Sequence, residues 1–567
     1  MTLKIPRREG NIIGNKQKSL VGRLFSRLTG ASPVSGKNTP QGHPVRNKGY
    51  SEAGASHVKR ALKGFTAVSG SPAEDINDNN YALRQRSRML YMAAPIATAA
   101  LKRQRTNIVG AGLRLKPTID REVLGMTQEQ AESWQKHTQA EFALWAQKKQ
   151  ACDATGVNNF YGLQQLVMLS WPMSGDVFAL IKRAEPTPLM PYSLRLHVLE
   201  ADRVRTPESV GNGNSAHNAL MSSVTTQKLD NGNTIHDGVE VDANGAIVAY
   251  HVANNHPYEL GSDPTTFVRV KAYGEKTGLP NILHIMDSER PEQYRGVPYL
   301  AQVIEPILQM RRYTEAEITA AVVQSFFTAF IKTEAGSTGM PFNEVGQGEN
   351  GSEEQVSKSQ NEYELGPGTM NMLDPGEDVT FGSPTHPNTG FDVFMRSLCE
   401  QVGAALEMPA DLLLMAFNAS YSASRAALLE AWKGFRMRRE WLTDDFCRPV
   451  YEIWLTEAVA RGRISAPGFL TDPLIRQAYL GSEWIGPSQG QLDPTKEVAA
   501  AVAAIDNGLS TREAEAVKLN GSQFSANADK LAVENEQLRK ANGGNQPNQI
   551  QQEPPPNDDG TGTEEEE

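Results

Sequence analysis

Residues 83–117 have the sequence LRQRSRMLYMAAPIATAALKRQRTNIVGAGLRLKP, which contains eight Lys or Arg residues and no Asp or Glu. Pro95 suits the first turn of a helix and disrupts a helix interior, so the segment predicts two helices that separate just before this residue. The glycines after Val109 end the second helix, and residues 113–117 are predicted as a short strand. The segment therefore indicates a helix pair followed by an extended chain.

The basic residues of this segment form two groups, one in the first turn of the first helix and one at the end of the second: Arg84, Arg86, Arg88, Lys102, Arg103 and Arg105. Charge alone favours a pair of core helices with a solvated basic face. On that interpretation we expect these side chains to face solvent.

The composition is that of a soluble globular protein, and 567 residues are enough for several domains. Hydrophobic residues make up 39% of the chain and charged residues 22%, both ordinary values. The cysteines, Cys152, Cys399 and Cys447, are far apart, so we expect neither a disulfide framework nor a zinc site. Because the chain has no apolar run of about 18 residues and no signal-peptide core, we expect no membrane partner and a reducing cytoplasm.

Charge is distributed unevenly along the chain, although the formal net charge is -10. Residues 1–63 hold thirteen Lys or Arg against two Glu, whereas the last 27 residues hold seven acidic residues and no base. We predict a disordered basic arm at 1–49 and a disordered acidic tail at 541–567. The charge of the arm is compatible with binding to nucleic acid or to an acidic protein surface, and it is equally compatible with a disordered, solvated segment that binds no partner. The acidic balance argues against tight wrapping of DNA by the whole protein.

Helical spacing dominates residues 50–170. Thr127 is suited to cap a helix that continues to Gln150. Three aromatic residues on this helix, Trp134, Phe142 and Trp145, are predicted to lie in the core rather than in a ligand cage.

From residue 176 to 285 the apolar period shifts towards two, which predicts strands. The predicted strands are 177–181, 194–199, 238–241, 246–252 and 281–285. Asp242-Ala-Asn-Gly245 lies between two of these strands and is a hairpin signal. A region of mixed helices and strands is therefore expected before residue 298.

A long helix is predicted after Pro298. The apolar residues that can share one of its faces are Ile304, Ile307, Leu308, Ile318, Val322, Phe326 and Phe330. From Pro306, which should lie near its start, to Lys332 this helix would be about 40 Å long. Residues 333–387 are then polar and glycine-rich, with one strand-like run at 363–365.

Two more helices are predicted further along the chain. One covers 391–406, and a polar stretch at 418–424 leads into the other, at 425–460. The second of these helices has an apolar face that we expect to be buried: Leu428, Trp432, Phe435, Leu442 and Phe446. Residues 465–540 are predicted to form a small helical region.

The sequence contains no catalytic motif that we recognise, and neither HExxH nor GxSxG occurs. The nearest match to a phosphate-binding loop, Gly30-Ala-Ser-Pro-Val-Ser-Gly-Lys-Asn38, has one residue too many between its glycines and lacks Ser or Thr after its lysine. His251 and His256 have no third ligand near them in sequence, so we expect them at a turn and a strand end rather than on a metal. We therefore expect no enzymatic activity and no metal or cofactor.

Several stretches of the chain, taken in order, resemble lambda-like tailed-phage portal proteins. The first is Arg-x-Arg-Ser-Arg at 84–88, the helix after it, and Asn-Ile-Val-Gly-x-Gly-Leu at 107–113. The others are Leu199-Glu-Ala-Asp-Arg-Val204, Asp237-Gly-Val-Glu-Val-Asp-Ala-Asn-Gly245, Arg290-Pro-Glu-Gln-Tyr-Arg-Gly-Val-Pro-Tyr-Leu300, Ser420-Tyr-Ser-Ala-Ser-Arg-Ala-Ala427, Trp484-Ile-Gly-Pro487 and Asp493-Pro-Thr-Lys-Glu497. Their order and spacing make the chain similar to this family from about Tyr50 to Glu515.

The resemblance implies an α+β portal fold with a mixed helix and sheet wing, a helical stem, a small clip and a helical crown-like region. By position, it implies a wing at 50–297, a stem helix at 298–332, a clip at 333–387, a second stem helix at 388–407, a tunnel loop at 408–424, a long wing helix at 425–462 and a crown-like region at 465–540. The basic arm and the acidic tail match no part of the family.

The resemblance also implies a homo-oligomeric ring, in this family generally of twelve subunits, at one vertex of the capsid. Double-stranded DNA would enter through the axial channel, driven by a separate terminase ATPase, and would later be ejected through it. The implied partners are the terminase large subunit, the major capsid protein and head-tail connector proteins. The implied location is the virion, after assembly in the host cytoplasm.

The tunnel loop and the start of the next helix supply the candidate DNA-channel contacts: Asn418, Ser420, Tyr421, Ser422, Ser424 and Arg425. Such polar side chains can touch backbone phosphates without fixing register, which suits sliding DNA. The alternative is an ordinary polar start of a helix, with Ser420, Ser422 or Ser424 as N-cap. Arg425 would lie in the first helical turn, where the helix dipole disfavours a cation, so we expect it to contact an acid of a neighbouring subunit or a phosphate.

Two other functions remain as alternatives. One is a scaffold or adaptor of head assembly that forms no ring. The other is a nuclease or protease of head morphogenesis, which would need a convergent set of acid, base or nucleophile that we do not find in the sequence. Size in solution separates these classes, because a monomeric enzyme, a heterogeneous scaffold and a closed ring differ several-fold in mass.

Overall fold

The computed structural model describes residues 60–62, 69–207, 225–257, 259, 264–325, 329–333, 377–381, 390–417, 420–490 and 494–541. Residues 1–69 form one unit, of which the turn of 3-10 helix Arg60–Leu62 is described, and the rest of the chain forms a second unit. Several predictions lie outside the described residues: the arm at 1–49, the phosphate-loop match at 30–38, most of the clip including 363–365, the side chain of Asn418 and nearly all of the tail.

Helices of the second unit, numbered in chain order, are α1 (Asp78–Ala93), α2 (Pro95–Ile108), α3 (Gln128–Ala146), α4 (Lys149–Cys152), α5 (Phe160–Ser174), α6 (Ile304–Ser325), α7 (Phe391–Ala405), α8 (Ala410–Leu414), α9 (Tyr421–Leu442), α10 (Arg448–Ala460), α11 (Pro473–Leu480), α12 (Pro494–Asp506), α13 (Arg512–Asn520) and α14 (Phe524–Ala541). Two π-helical turns, Ala73–Asn77 and Thr443–Cys447, precede α1 and α10. No helix among the described residues has the length and apolar character needed to span a bilayer.

Strands of the same unit are β1 (Arg114–Pro117), β2 (Asp176–Arg183), β3 (Leu194–Glu200), β4 (Thr226–Lys228), β5 (Thr234–His236), β6 (Val239–Val241), β7 (Ile247–Ala253), β8 (Phe267–Lys271), β9 (Ile282–Met286), β10 (Ala329–Thr333), β11 (Glu377–Phe381) and β12 (Ser482–Ile485). They form sheets of order β3-β2-β9 and β4-β5-β6-β7-β8, and two-stranded pairs β1-β12 and β10-β11, all antiparallel. The predicted α+β class is confirmed.

The opening helix pair forms as predicted, with Pro95 at the first position of α2 after the extended residue Ala94. The expected basic first turn is wrong, because α1 begins at Asp78 and places the arginines in its second half. The expected solvated face is also wrong for Arg84, which is 3% exposed. This helix therefore carries a buried cation, whose partners are described below.

Most β structure follows the period-two pattern. The predicted hairpin is confirmed, since the Asp242 side chain accepts hydrogen bonds from the backbone N–H groups of Asn244 at 2.8 Å and Ala246 at 2.9 Å. Within residues 176–285, three strands were not predicted: β4, β5 and β8. Strands β4 and β5 have only three residues each, which is too short for an alternating pattern to be recognised.

An aromatic cluster forms the centre of the core and confirms the predicted core residues of α3. Phe142 lies edge-on to Trp454 with ring centroids 5.0 Å apart and to Phe160 at 5.7 Å. Trp145 is fully buried, and Trp134 packs partly buried against the same cluster. The Thr127 side chain caps α3 as predicted, although the helix ends at Ala146 and not at Gln150.

Residues after 465 contribute to this core rather than forming only a separate helical region. Strand β12 pairs with β1, so that Trp484 lies opposite Leu115. Phe469 and Tyr479 are buried in the same cluster. An early and a late segment of the second unit are thereby held together by one pair of strands and the core beneath it.

The long helix predicted to reach Lys332 ends at Ser325, which makes α6 about 33 Å long. Strand β10 follows it and pairs with β11, with Ile331 opposite Val379. The prediction of helix through Phe330 is therefore wrong. The two strands bring together the ends of the polar insertion between α6 and α7.

Helix α7 covers nearly all of the predicted 391–406, and the next long helix starts earlier than predicted, at Tyr421 instead of Arg425. It continues through the π-helical turn into α10. Its predicted apolar face is confirmed: Trp432, Phe435, Leu442 and Phe446 are buried, and Leu428 packs against them. The predicted tunnel loop at 408–424 also contains the short helix α8.

Candidate functional site

Several of the stretches quoted from the sequence meet at a buried arginine. The Arg295 guanidinium is fully buried, and its Nε donates to Asp176 Oδ2 at 2.6 Å. Its Nη1 lies 2.8 Å from Asp237 Oδ2 and donates to the carbonyl of Val204 at 2.8 Å, while Nη2 donates to the carbonyl of Ala201 at 2.9 Å. One side chain thus joins β2, the end of β3 and the turn between β5 and β6.

Arg84 from α1 completes this junction. Its guanidinium lies 3.5 Å from Asp176 and 3.4 Å from Asp237, and it donates to the carbonyl of Ser174 at 3.2 Å. Burial alone would raise the pKa of Asp176, but the charges of Arg295 and Arg84 outweigh it and hold this pKa well below its usual range. Two cations thus balance two carboxylates in a buried cluster, which we call the arginine junction: Arg84, Asp176, Asp237 and Arg295.

A buried histidine borders the arginine junction. His284 Nε2 lies 3.3 Å from Asp176 Oδ2, and its ring stacks on Phe178 with centroids 4.3 Å apart. Burial lowers the pKa of His284, and its carboxylate neighbour only partly opposes this effect. The ring is therefore neutral at physiological pH and adds no third positive charge.

The backbone around the arginine junction is tightly constrained. Asp237 has a left-handed φ of 45°, an unusual conformation for a residue with a side chain. Gly296 follows Arg295, and a Cβ atom placed on Gly296 would overlap the carbonyl of Gly175. The segment that leads into α6 is therefore fixed against the start of β2 by ion pairs and by direct backbone contact.

His256 lies in a second charged cluster, with Glu200 and Asp202. Their ligand-type atoms lie within 4.8 Å of one another, which is a spacing compatible with a metal ion. Arg88 already forms ion pairs with Asp202 and, at 3.9 Å, with Glu200. A metal ion would have to displace this guanidinium. His251 instead contacts Glu240 at 3.1 Å.

The predicted channel contacts lie at the start of α9. Ser420 caps the helix, since its Oγ accepts from the N–H of Ala423 at 3.4 Å, which confirms the alternative of a polar helix start. Tyr421 and Ser422 form the first turn, with side chains outside the described part, and Ser424 follows them in the helix. Contact with DNA by these residues stays a prediction.

Arg425 has an acidic partner within its own chain. Its Nη1 lies 3.4 Å from Glu497 Oε1 at the start of α12. The expectation that its partner would come from a neighbouring subunit or a phosphate is therefore wrong for this contact. Two stretches quoted separately from the sequence, 420–427 and 493–497, are brought together by this ion pair.

Helices α6 and α7 pack side by side through aromatic rings. Tyr313 stacks on Phe391 with centroids 5.6 Å apart and lies edge-on to Phe394 at 5.0 Å. Apolar side chains on the outside of the pair remain exposed in the single chain, with Ile318 59% and Val393 67% exposed. The pair therefore has apolar surface that the described residues of one chain leave exposed.

The cysteine thiols lack the environment of a nucleophile. Cys152, Cys399 and Cys447 are buried. Burial raises the pKa of Cys152 to about 12, and it raises the pKa of Cys447 well above its usual range. Neither thiol is ionised at neutral pH, so both behave as small apolar side chains.

Sequence reasoning missed the arginine junction as a unit. Arg84 and Arg295 were both within quoted stretches, but nothing in the local pattern shows that they converge on Asp176. One signal was present: Asp176 is a charged residue at the start of an otherwise apolar strand, directly after a glycine. Such a residue, once buried, requires a cationic partner.

Comparison with known proteins identifies relatives among phage proteins. The portal protein of Escherichia phage N15 is 26% identical over 316 residues, which cover 52% of this chain and 58% of the N15 protein. Portal protein B of Escherichia phage lambda is 21% identical over 435 residues, covering 74% of this chain and 77% of that protein. The probable portal protein of Halomonas phage phiHAP-1 is 21% identical over 493 residues, covering 85% and 86%.

Among solved structures, this chain is similar to the neck of a native gene transfer agent particle computed with C12 symmetry. The TM-score is 0.39, with 13% identity over 78% of this chain and 94% of that chain. The virion of the native gene transfer agent gives a TM-score of 0.38 and 15% identity with the same coverage. The sequence model of the family described as "Phage portal protein, lambda family" matches residues 58–439, which include the arginine junction and helices α6 and α7. Because this match spans about two thirds of the 567 residues, the chain belongs to the lambda family of phage portal proteins.

Proposed function

We propose that copies of this chain form a closed ring, of twelve subunits, at one vertex of a phage capsid, and that double-stranded DNA is packaged and later ejected through its axial channel. The observation that carries the proposal is the family match over residues 58–439, which contains all but the last two of the stretches from which the resemblance was inferred. The protein would act in the virion after assembly in the host cytoplasm.

The helix pair α6–α7 corresponds to the proposed stem, and its exposed surface is evidence in favour of a ring. Its exposed apolar residues, Ile318 and Val393 among them, would be buried against the same helices of the next subunit. Closed symmetry satisfies such a surface on every copy, because each subunit then receives one neighbour on either side. The arginine junction would hold the stem at a fixed angle to the wing.

The insertion between α6 and α7 would form the clip, at residues 333–387. Strands β10 and β11 pair at its base, and they would support a compact projection at the end of the helix pair. This projection would dock the terminase large subunit during packaging and head-tail connector proteins afterwards. Motor chemistry would belong to the terminase, while the outer surface of the wing would meet the major capsid protein.

The start of α9 would face the channel, with Asn418, Tyr421 and Arg425 near DNA. Glu497 partly neutralises the positive charge of Arg425, so the arginine attracts phosphate less strongly than a free guanidinium would. A weak contact suits a duplex that has to slide, because strong neutralisation of phosphates would hold it in place.

The mass of the assembled particle tests this proposal. Twelve copies of a 62.0 kDa chain would weigh about 744 kDa, which native mass spectrometry distinguishes from a monomer. Top views in negative-stain images should show a ring with a central hole. A monomer at high concentration, also in capsid-bearing lysates, would contradict the ring, and particles of mixed size would favour the scaffold or adaptor instead.

A further inference from the structure

A cavity of about 560 Å³ lies where β7, β9 and the connection between β8 and β9 meet the π-helical turn Thr443–Cys447 and the start of α10. Its volume is within the range of small-molecule sites in proteins. The residues that line it belong to one chain, so a ligand can bind here whether or not the ring forms. The proposed ring and channel assign no role to this cavity.

Asp445 lines the cavity as a carboxylate without a cationic partner. The other two acids that line it are already paired, Asp444 with Arg448 and Glu452 with Arg476 at 3.0 Å. Asp445 is partly buried, and among the described residues its side chain has neither an ion pair nor a hydrogen bond. A charged group that has lost water without gaining a partner is a favourable position for a cation.

The charges at the cavity favour a ligand with one positive charge. Among the described residues, no Lys or Arg lines the cavity, and the ion pairs of the other two acids leave the charge of Asp445 uncompensated. The buried Arg295 does not line the cavity, and Asp176 and Asp237 balance its charge. An anion would be repelled here, and a second positive charge would have no acid of its own.

A buried tyrosine supplies a second polar group. Tyr250 is 5% exposed and lines the cavity, and its hydroxyl has no hydrogen-bond partner among the described residues. Burial raises the pKa of this hydroxyl, so it is neutral at pH 7, and its oxygen can accept a hydrogen bond. Because native structures rarely leave a buried polar group without a partner, the hydroxyl indicates a polar ligand in the cavity.

Much of the remaining wall is aliphatic: Ile247, Pro280, Ile282, Leu283 and Met286. Such a wall suits an alkyl chain that ends in a charged group, as in the side chain of lysine. It does not suit a metal ion, which needs several oxygen ligands at close range. The described residues whose ligand-type atoms lie within 4.8 Å of one another are instead Glu200, Asp202 and His256, and these do not line the cavity.

We propose that this cavity binds a primary alkylammonium group. Its N–H groups donate to the Asp445 carboxylate and to the Tyr250 hydroxyl, and its alkyl chain packs against the aliphatic wall. The same chemistry has two sources, a small free amine and the side chain of a lysine from a neighbouring protein chain. In both cases the bound cation joins the π-helical turn to β7, two parts of the fold that are far apart in sequence.

Isothermal titration calorimetry of the full-length protein with butylammonium chloride, at pH 7 and constant ionic strength, tests the proposal. We expect one saturable site per chain and no saturable binding of 1-butanol, which has the same alkyl chain without the charge. Asp445→Asn should weaken binding by about tenfold or more, since it removes a charged hydrogen bond. The matched control is Asp230→Asn, at an exposed acid between β4 and β5, which should leave binding unchanged.

Tyr250→Phe separates binding from folding. It keeps the ring and removes a hydroxyl that has no partner in the described part of the free chain, so the thermal unfolding midpoint should not fall. Binding of butylammonium should weaken by roughly two- to tenfold, because the ligand loses one neutral acceptor. A tyrosine with a purely structural role would leave binding unchanged, and that result would count against the site.

Binding should also follow the ionisation of Asp445. Because its pKa is about 6, the ionised fraction falls by about tenfold between pH 7 and pH 5, and binding should weaken by a similar factor. Asp445→Asn should remove this pH dependence. The variant retains the other ionisable groups at or beside the cavity: Asp287, His284, Tyr250, Tyr273, Tyr294, Asp444, Arg448, Glu452 and Arg476.

Comparison of the free chain with the assembled particle separates the two sources of the ligand. A free amine as ligand predicts that both forms bind butylammonium. A neighbour's lysine predicts that only the free chain binds it, and that a carbodiimide couples Asp445 to that lysine in the particle, as peptide mass spectrometry would show. The proposal is overturned if the free chain shows no saturable binding, if 1-butanol or magnesium chloride matches butylammonium, or if Asp445→Asn binds like the parent. These results come from the free chain and do not depend on whether the ring forms.

Discussion

Replacing Arg295 by methionine removes the fully buried guanidinium of the arginine junction and keeps an unbranched apolar chain in its place. Asp176 would then keep Arg84 at 3.5 Å as its remaining cation. The carbonyls of Val204 and Asp237 would lose the Arg295 donor that now satisfies them, whereas the carbonyl of Ala201 would keep the N–H of Val204 at 3.2 Å. The variant therefore leaves the buried Asp176 carboxylate with one of its two cationic partners, and it leaves at least two carbonyl groups without a hydrogen-bond donor.

The expected cost follows from these losses. Removing one partner of a buried ion pair costs about 3–5 kcal/mol, and each carbonyl left without its donor adds about 1 kcal/mol. Because Arg84 still offsets part of the charge on Asp176, we expect a loss of about 4 kcal/mol in the free energy of unfolding at pH 7. Arg295→Lys should lose less, since it keeps the charge but cannot reach both carboxylates and the carbonyls together.

The loss should also depend on pH. In the parent protein the pKa of Asp176 is held below its usual range, so its stabilising effect is present above the usual carboxyl pKa and is lost as pH falls through the lowered value. Without Arg295 that pKa rises, and protonation of Asp176 then relieves the buried charge. The difference between variant and parent should therefore be largest at pH 7 and shrink as pH falls below about 4.5.

Urea unfolding followed by tryptophan fluorescence at pH 7 and at about pH 3.5 measures both effects. Arg311→Met is the matched control, because Arg311 makes an exposed pair with Glu315 at 3.0 Å on α6 and should cost less than about 0.5 kcal/mol. Equal losses in the two variants, or a loss in the Arg295 variant that does not change with pH, would refute the structural role assigned to the arginine junction.

Two further predictions concern the long helix. Tyr421→Ala and Arg425→Ala should each allow ring formation but reduce DNA packaging or retention, measured as encapsidated DNA per particle. Loss of rings in both variants would show that these residues are structural, and a normal DNA content would show that they do not contact DNA. Burial, together with the charge of Asp287, raises the pKa of Asp445 to about 6. The folded protein therefore holds a proton that the unfolded chain releases, and its free energy of unfolding decreases as pH rises from about 4 to 6. Asp445→Asn should therefore stabilise the protein at pH 7 by up to about 3 kcal/mol, and its thermal unfolding midpoint should vary less between about pH 4 and 6 than that of the parent. A midpoint that varies with pH as much as in the parent would contradict the raised pKa of Asp445.

Features with local causes could be predicted from the sequence. Pro95 starts α2, Thr127 caps α3, and the Asp242–Gly245 turn joins β6 to β7, because each signal acts within a few residues of itself. The apolar face of α9 was equally predictable, since it repeats at helical spacing.

Features that depend on distant contacts could not be predicted. The apolar stripe continues past Ser325, so nothing local distinguishes β10 from another turn of α6, and the strand exists because β11 pairs with it. The arginine junction joins residues such as Arg84 and Asp237 that are 153 positions apart. At the candidate DNA contacts, the serine cap was predictable, but the pairing of Arg425 with Glu497 required the three-dimensional structure.

The pairing of β1 with β12 determines when the protein can finish folding during its synthesis. Strand β1 is made early, yet its partner at Ser482–Ile485 leaves the ribosome only after more than four fifths of the chain has been translated. At 5–20 residues per second, β1 would wait on the order of a minute for that partner. Until then Leu115 and the aromatic rings beneath it lack their cover, and contacts of such high sequence separation form slowly. A nascent or truncated chain therefore cannot present a finished subunit, which restricts assembly to chains that have been translated at least to this strand.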